Sequence, residues 1–388
     1  MMSESFVDTI RSVQLNIPPG MIDFGVGQPS PTLLPLALMK EAAMHRLNTR
    51  DVSLLAYGAE QGDGHFRLAL ARFLSMHYGI PVDADNLFVT GGASQALDLV
   101  CTLFSRPGDT IFVEEPSYFL ALRIFADHGL NVVCLPMDEN GLIVEAVEEK
   151  LTRQSAAFLY TIPTFHNPSS ITLAADRRER LVQLSRRHNL LIVADEVYHM
   201  LSYSAAPPDP LASHIHSGPV LSLGSFSKIM APGLRLGWIQ GDVGLLQRFI
   251  GCGLLDSGGG LNPFTSGIMR NAVENGLLED QLRNLKSAYS QRKAVLADAL
   301  RNSLPDTVSF VDPGGGFFIW LKFPQAIDTR HLLAAAHEQN VGFLPGVKFS
   351  ACQGMRNFAR LSFSYFEVQE LEQGAVRLGK VIRQYMKQ

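Results

Sequence analysis

Short apolar runs, each closed by small or polar residues, recur through the first two thirds of the chain. Leu87-Phe88-Val89-Thr90 runs into Gly91-Gly92-Ala93-Ser94-Gln95. Residues 110–113 lead to Glu114-Glu115-Pro116-Ser117, and Phe158-Leu159-Tyr160-Thr161-Ile162-Pro163 leads towards Asn167-Pro168. Leu190-Leu191-Ile192-Val193-Ala194 ends in Asp195-Glu196-Val197-Tyr198, and residues 220–224 end in Ser225-Phe226-Ser227-Lys228. Runs this short and this uniformly apolar read as strands buried on both faces. Residues 131–135 read as one more. Helical spacing over residues 66–77, 96–104, 118–128, 144–151 and 174–188 fills the intervals. In the last of these, Arg177, Arg178, Arg180, Arg186 and Arg187 are expected to form a solvated face. Alternation of β and α predicts an α/β fold with a mostly parallel sheet covered by helices.

The pattern changes near residue 266. Residues 266–303 read as long helical sequence. Strands are expected over 308–311, 317–323 and 358–363, and helices over 331–339 and 368–386. This describes a smaller α+β unit, and 388 residues suit two domains. Hydrophobic content of 46% and charged content of 18% fit a packed globular chain. A net charge of −4 offers no electrostatic footprint for nucleic acid. No polybasic run, leader-like start or bilayer-length apolar stretch is expected to engage a membrane. Cys101, Cys134, Cys252 and Cys352 lack metal or redox spacing, and are expected to be buried, reduced and inert in a cytoplasmic protein. His214-Ile215-His216 implies no third or fourth ligand, so no metal is expected.

The polar groups stand just past strand ends, where open α/β sheets bind ligands. Lys228 is flanked by Ser225 and Ser227, and Arg235 follows seven positions later in Ala231-Pro232-Gly233-Leu234-Arg235-Leu236-Gly237. A lysine amine so placed suits an imine with an aldehyde cofactor, whose phosphate needs hydroxyls and a guanidinium.

With these motifs in this order, the chain from about Ile22 onwards resembles the fold-type I, pyridoxal-phosphate-dependent aminotransferases of class I/II. The Ser-Phe-Ser-Lys…Ala-Pro-Gly-Leu-Arg-Leu-Gly form is similar to the branch of 2-aminoadipate aminotransferases and of aminotransferase-like domains in bacterial regulators. The resemblance implies an aspartate aminotransferase-like large domain with a seven-stranded-type sheet over residues 48–275. It also implies a discontinuous small domain of 1–47 and 276–388. The implied activity is transfer of an amino group from an L-amino acid to a 2-oxo acid, with 2-oxoglutarate as acceptor.

Site roles follow from the resemblance and the chemistry of each side chain. Lys228 would hold pyridoxal 5'-phosphate and move the substrate proton, its pKa lowered by desolvation and nearby positive charge. Asp195 would keep the pyridine nitrogen cationic; a helix N-cap is its alternative. Asn167, with a cis bond to Pro168, and Tyr198 would donate to the ring oxygen. Ser169-Ser170 stands where relatives usually carry Thr-Gly. Tyr118 would stack on the ring. Ala93, Ser94 and Gln95, at a helix start, would hold the phosphate with Ser225, Ser227 and Arg235. Tyr57 would reach the phosphate of a partner subunit, making a homodimer with shared sites; a surface tyrosine is the alternative. Arg360, inside an apolar strand, would clamp the substrate α-carboxylate, against the alternative of a structural salt bridge. Arg356 is a second candidate for that task, Gly27 would let substrate approach the backbone, and Arg11 is a candidate reader of the substrate side chain.

Other fold-type I chemistry, a β-lyase or a decarboxylase, fits the same signature. A non-catalytic regulator is the reading from another class. It is disfavoured by the acidic balance and by the two dozen residues ahead of the resemblance, too few for a folded winged helix.

Overall fold

The computed structural model describes residues 13–387. Its first strand, β1 (Ile22–Asp23), precedes β2 (Leu87–Thr90), β3 (Thr110–Glu115), β4 (Asn131–Asp138), β5 (Gly141–Leu142) and β6 (Phe158–Thr161). Then come β7 (Leu191–Asp195), β8 (Val220–Ser225) and β9 (Gly237–Gly241). The main sheet runs β2-β9-β8-β7-β6-β3-β4-β5. Seven of these strands are four residues or longer, and β5 adds a two-residue edge. Pairs among β8, β7, β6, β3 and β4 are parallel, and β9 is antiparallel to both β8 and β2. Alternation along each strand explains the continuous apolar runs. Ile111, Val113, Phe158, Tyr160, Leu191 and Val193 face one core layer, while Phe112, Leu159, Ile192 and Ala194 face the other.

A three-stranded sheet, β10 (Phe318–Lys322), β13 (Phe358–Ser362) and β12 (Leu344–Pro345), supplies the other wall of the site. Its central strand pairs Arg360 with Trp320 on one side and Leu344 on the other. β1 pairs in parallel with β11 (Val341–Gly342), and Phe24 O accepts from Ser362 N at 2.7 Å, tying the early chain to this sheet.

Four expectations change. The stretch 266–303 is two helices, Pro263–Glu274 and Leu277–Ser303, because Gly276 turns at φ +74° between them. Residues 308–311 make only an isolated bridge, Ser309 to Lys322, with Val311 exposed. Arg178 does not lie on the solvated face of its helix, Ala175–His188: it is buried and donates to the carbonyls of Pro163, Leu173 and Asp209. Cys134 and Cys352 are joined by a disulfide rather than reduced, while Cys101 is buried and Cys252 half-buried. Among the described residues, no helix is long and apolar enough to cross a membrane.

Candidate active site

Sheet register brings the motifs together. Asp195 pairs with Leu223, Thr161 with Ala194, and Ser225 with Gly237, so the ends of β6, β7 and β8 are level. Thr90 also pairs with Gly237, which sets the start of helix Ala93–Phe104 beside Ser225. Close approach demands glycine here. A Cβ on Gly237 would meet Gly224 O at 2.5 Å and Gly92 Cα at 2.9 Å. Gly92 itself has φ +97°.

Those contacts shape a helix start open to an anion, a cradle for one. The N–H groups of Ala93, Ser94 and Gln95 are ones a helix start leaves without intrahelical acceptors. The Gln95 side chain caps the Gly91 N–H. Arg235 donates from Nη2 to Gly91 O at 3.0 Å and from Nη1 to Pro232 O at 3.2 Å, which lays its guanidinium over the helix start. Ser225 Oγ donates to Ser227 Oγ at 3.0 Å and accepts the Ser227 N–H.

Lys228 lies half-buried beyond the cradle. Its Nζ donates to Gly27 O at 3.3 Å and sits 5.4 Å and 6.0 Å from the ring centres of Phe317 and Tyr198. Burial, with Arg360 and Arg235 adding to it and Asp195 opposing, brings its pKa down to about 8. Asp195 is buried at the end of β7. No helix begins there, which removes the N-cap alternative. One carboxylate oxygen, Oδ2, accepts from Tyr160 Oη at 2.8 Å; the other, Oδ1, is buried with no partner among the described residues. Burial raises the Asp195 pKa to about 6, against the Tyr160 hydroxyl, the Val197 amide and Lys228, which lower it.

Tyr198 is buried with its ring edge-on to Phe317 and Phe318. Tyr118 precedes helix Phe119–Asp127; burial pushes it up to about 12, Asp195 adding to the rise and Arg360 opposing it. The Asn167-Pro168 bond is cis, and Asn167 Oδ1 accepts from Arg360 Nη1 at 2.9 Å, which leaves Nδ2 as the donor end of the amide. Ser170, where a glycine was the expected residue, adopts φ +61° and donates from Oγ to Phe318 O at 2.6 Å, so this serine tolerates the turn by bonding to β10.

Arg360 is 3% exposed, and its guanidinium carbon stands 4.1 Å and 5.0 Å from the ring centres of Phe318 and Phe349. Nη2 donates to Gly25 O at 2.8 Å, and Nε is buried without a partner. No carboxylate pairs with it among the described residues, so the structural salt bridge is absent. Burial lowers its pKa to about 10. A Cβ on Gly27 would press within 3.1 Å of the Phe318 ring and 3.3 Å of Arg360 Nη2, so glycine keeps this wall open. The Arg356 side chain is exposed, Tyr57 is 87% exposed, and Arg11 lies outside the described residues.

Three supports escape a reading of motifs. Tyr160 lies within an apolar run, where only its hydroxyl hints at a partner. Arg178 holds Pro163 O and Thr164 Oγ1 at 2.7 Å and 2.9 Å. Buried Glu114 accepts from Thr161 Oγ1 and Ile162 N, with His166 Nε2 at 3.2 Å, which steadies the segment ending at Asn167.

Pyridoxal phosphate fits these residues. Asp195 Oδ1 is a buried acceptor in want of a donor such as a pyridinium N–H, and the helix start with Arg235 can take a phosphate. Comparison with known proteins agrees. The family model described as aminotransferase class I and II matches residues 19–378. Aromatic-amino-acid aminotransferase 1 of Thermococcus litoralis is 34% identical over 373 residues, 95% of this chain and 89% of that protein. An uncharacterized HTH-type transcriptional regulator of Bacillus subtilis, YdfD, is 30% identical over 99% of this chain and 78% of its own length. The crystal structure of LysN, the α-aminoadipate aminotransferase of Thermus thermophilus, complexed with N-(5'-phosphopyridoxyl)-L-leucine, superposes with a TM-score of 0.87. It is 27% identical and covers 98% of this chain and 99% of that one. A lysine of lowered pKa, an acid with one open oxygen and a match across nearly the whole chain lead to one conclusion: this is a pyridoxal-phosphate-dependent transaminase of fold type I, and it belongs to the class I and II aminotransferases.

Proposed function

We propose that the protein carries an amino group from an L-amino acid to a 2-oxo acid, 2-oxoglutarate foremost, in two ping-pong half-reactions at Lys228. The observation that carries this reading is Arg360: a buried guanidinium with no acidic partner among the described residues, within the field of the Lys228 amine. Bound cofactor would supply the aldehyde chemistry for the amine and a cationic ring as electron sink.

The chain does the rest. Arg360 takes the α-carboxylate of donor and acceptor alike, because both share that group. Phe318 and Phe349 exclude water from the guanidinium and strengthen the pairing. Lys228, poised near neutrality, takes the Cα proton as a free amine and returns it. With the cofactor bound, Asp195 Oδ1 would face the ring nitrogen and favour its protonated form, Asn167 Nδ2 and Tyr198 Oη would donate to the ring oxygen, and Tyr118 would lie against the ring. Ala93, Ser94, Gln95, Ser225, Ser227 and Arg235 would anchor the phosphate. Gly27 leaves room for the substrate.

The same reading makes the protein a cytoplasmic homodimer in which Tyr57 completes the partner's phosphate site. Support comes from its exposure and from Leu36, Val52, Leu55 and Leu254, also exposed. Among the described residues, 48–275 make the large domain, and 13–47 with 276–387 the small one; residues 1–12 and 388 lie outside the described residues, and the pairing of β1 with β11 supports the division. No nucleic acid or membrane takes part.

A single half-reaction tests the function. Protein incubated with an L-amino acid alone is expected to release the matching oxo acid and retain aminated cofactor. Release of pyruvate with ammonia, or of carbon dioxide, would overturn transamination in favour of a lyase or a decarboxylase.

A further inference from the structure

The disulfide lies where the three-stranded sheet meets the main one. Cys134 belongs to β4, whose pairing with β3 sets Cys134 beside Val113 and Pro136 beside Glu115. Cys352 is exposed, in the turn between the short helix Gly346–Phe349 and β13. The two are 218 residues apart in sequence, and their Cα atoms 6.7 Å apart in space, inside the span a bridge allows.

This junction leads straight to the substrate side of the site. Phe349, three residues before Cys352, packs on Arg360 and edge-on to Phe119. Ser117 N donates to Phe349 O at 2.8 Å, directly before Tyr118. Ala351 N donates to Glu115 Oε2 at 3.3 Å. Apart from the bridge, the turn 350–354 reaches the main sheet through Glu115, by way of Ala351 and Ser350.

We propose that Cys134 and Cys352 form a reversible oxidation site, a dithiol whose disulfide fastens the Arg360 side of the active site to the central sheet. Both redox states are provided for. A Glu115 carboxylate oxygen lies within 4.8 Å of both sulfurs, so a thiol freed by reduction has a polar group beside it rather than an apolar wall. The exposed Cys352 reacts first. Its thiolate attacks one sulfur of a low-molecular-weight disulfide such as oxidised glutathione, and the other half leaves as a thiol. Cys134 then attacks the Cys352 sulfur of the mixed disulfide, the protein S–S bond forms, and the second small thiol leaves. The two cysteines give up two electrons and two protons, and the small disulfide takes them up. The consequence for substrate, which rests on the clamp assigned to Arg360, is that the oxidised enzyme holds the amino acid more tightly because Phe349 cannot withdraw from the guanidinium.

Holoenzyme equilibrated with reduced or with oxidised glutathione, denatured, alkylated and mapped by mass spectrometry tests the site. Under reduction all four cysteines are expected to carry the label; under oxidation Cys134 and Cys352 peptides are joined while Cys101 and Cys252 still carry it. Separate alkylation of Cys134 and Cys352 in both buffers overturns the site. The KM for the amino donor is expected to rise about threefold on reduction, as when a closing segment is released, with the cofactor absorbance unchanged. Cys352→Ser is expected to show the higher KM in both buffers. An unchanged KM with the bridge present in one buffer and absent in the other overturns the link to substrate. Absence of turnover in both buffers would count against the transaminase reading and leave the peptide map standing.

Discussion

Tyr160 Oη donates to Asp195 Oδ2 at 2.8 Å, between neighbouring strands of the main sheet, and leaves Oδ1 as the open, buried oxygen. A hydrogen bond to a charged group contributes about 1.5–3 kcal/mol. Tyr160→Phe keeps the ring in its core layer and removes only that donor. Because the hydroxyl lowers the Asp195 pKa, its loss raises it further. The acidic limb of the kcat/KM profile is expected to move up by about one pH unit, one unit being about 1.4 kcal/mol. A profile superimposable on that of the unaltered enzyme would show that Tyr160 only packs.

Asp195→Asn separates stability from turnover. In protein stripped of cofactor, burial raises the Asp195 pKa from 3.8 to about 6. The folded state then binds more protons than the unfolded one across that interval. Stability falls as pH rises through it, and the penalty is fully present above pH 6. The substituted amide carries no charge to desolvate, so the cofactor-free variant is expected to melt above unaltered apoprotein at pH 8. Once loaded it loses the ring's partner, and turnover is expected to drop about a hundredfold or more. Thermal melts of the two apoproteins at pH 5 and pH 8 check the sign: the gap between them opens as pH rises.

Arg360→Lys keeps the charge and discards the fork. A lysine ammonium cannot donate in parallel to both carboxylate oxygens while bonding Gly25 O and Asn167 Oδ1. The loss of one charge-assisted bond, about 1.5–3 kcal/mol, predicts kcat/KM lower by about 10- to 150-fold for donor and acceptor alike. An equal fall for an amine substrate lacking a carboxylate would contradict the clamp.

Motifs at strand ends were legible because each is local: an apolar run, then the polar group, within about ten residues. Lys228, Asp195, Asn167 and Arg235 converge as that pattern implies, since parallel register levels the strand ends. β9 was not legible. It is bounded by Gly237 and Gly241 and carries Gln240, so neither apolar run nor alternation marks it, and only pairing on both sides makes it a strand. Arg178 sat within a basic run whose other members do reach solvent-side acids, such as Asp138 for Arg177 and Glu145 for Arg180. Its burial depends on where the 163–167 segment passes, which is a tertiary fact. The same holds for Cys134 and Cys352, for no spacing rule spans 218 residues. By contrast, the break between helices at Asn275-Gly276 carried a helix-stop signal in plain view.

Tyr57 offers the test of shared sites. At 87% exposure its side chain lies outside its own subunit's core, so Tyr57→Ala is expected to fold normally and to lose enough cofactor affinity to be inactive at limiting pyridoxal phosphate. Lys228→Ala is expected to be inactive for a different reason, the loss of the amine itself. In a two-fold dimer with sites made from both subunits, a hybrid of these variants puts both defects into one site and leaves the other whole. Random mixing makes half of the dimers hybrids, each with one good site of two, so activity should return to about one quarter of the unaltered enzyme. If Tyr57 serves its own subunit, every site in the hybrid carries one defect and no activity returns. Unfolding and refolding the two inactive variants together, then assaying transamination, distinguishes the two arrangements by the recovery of activity.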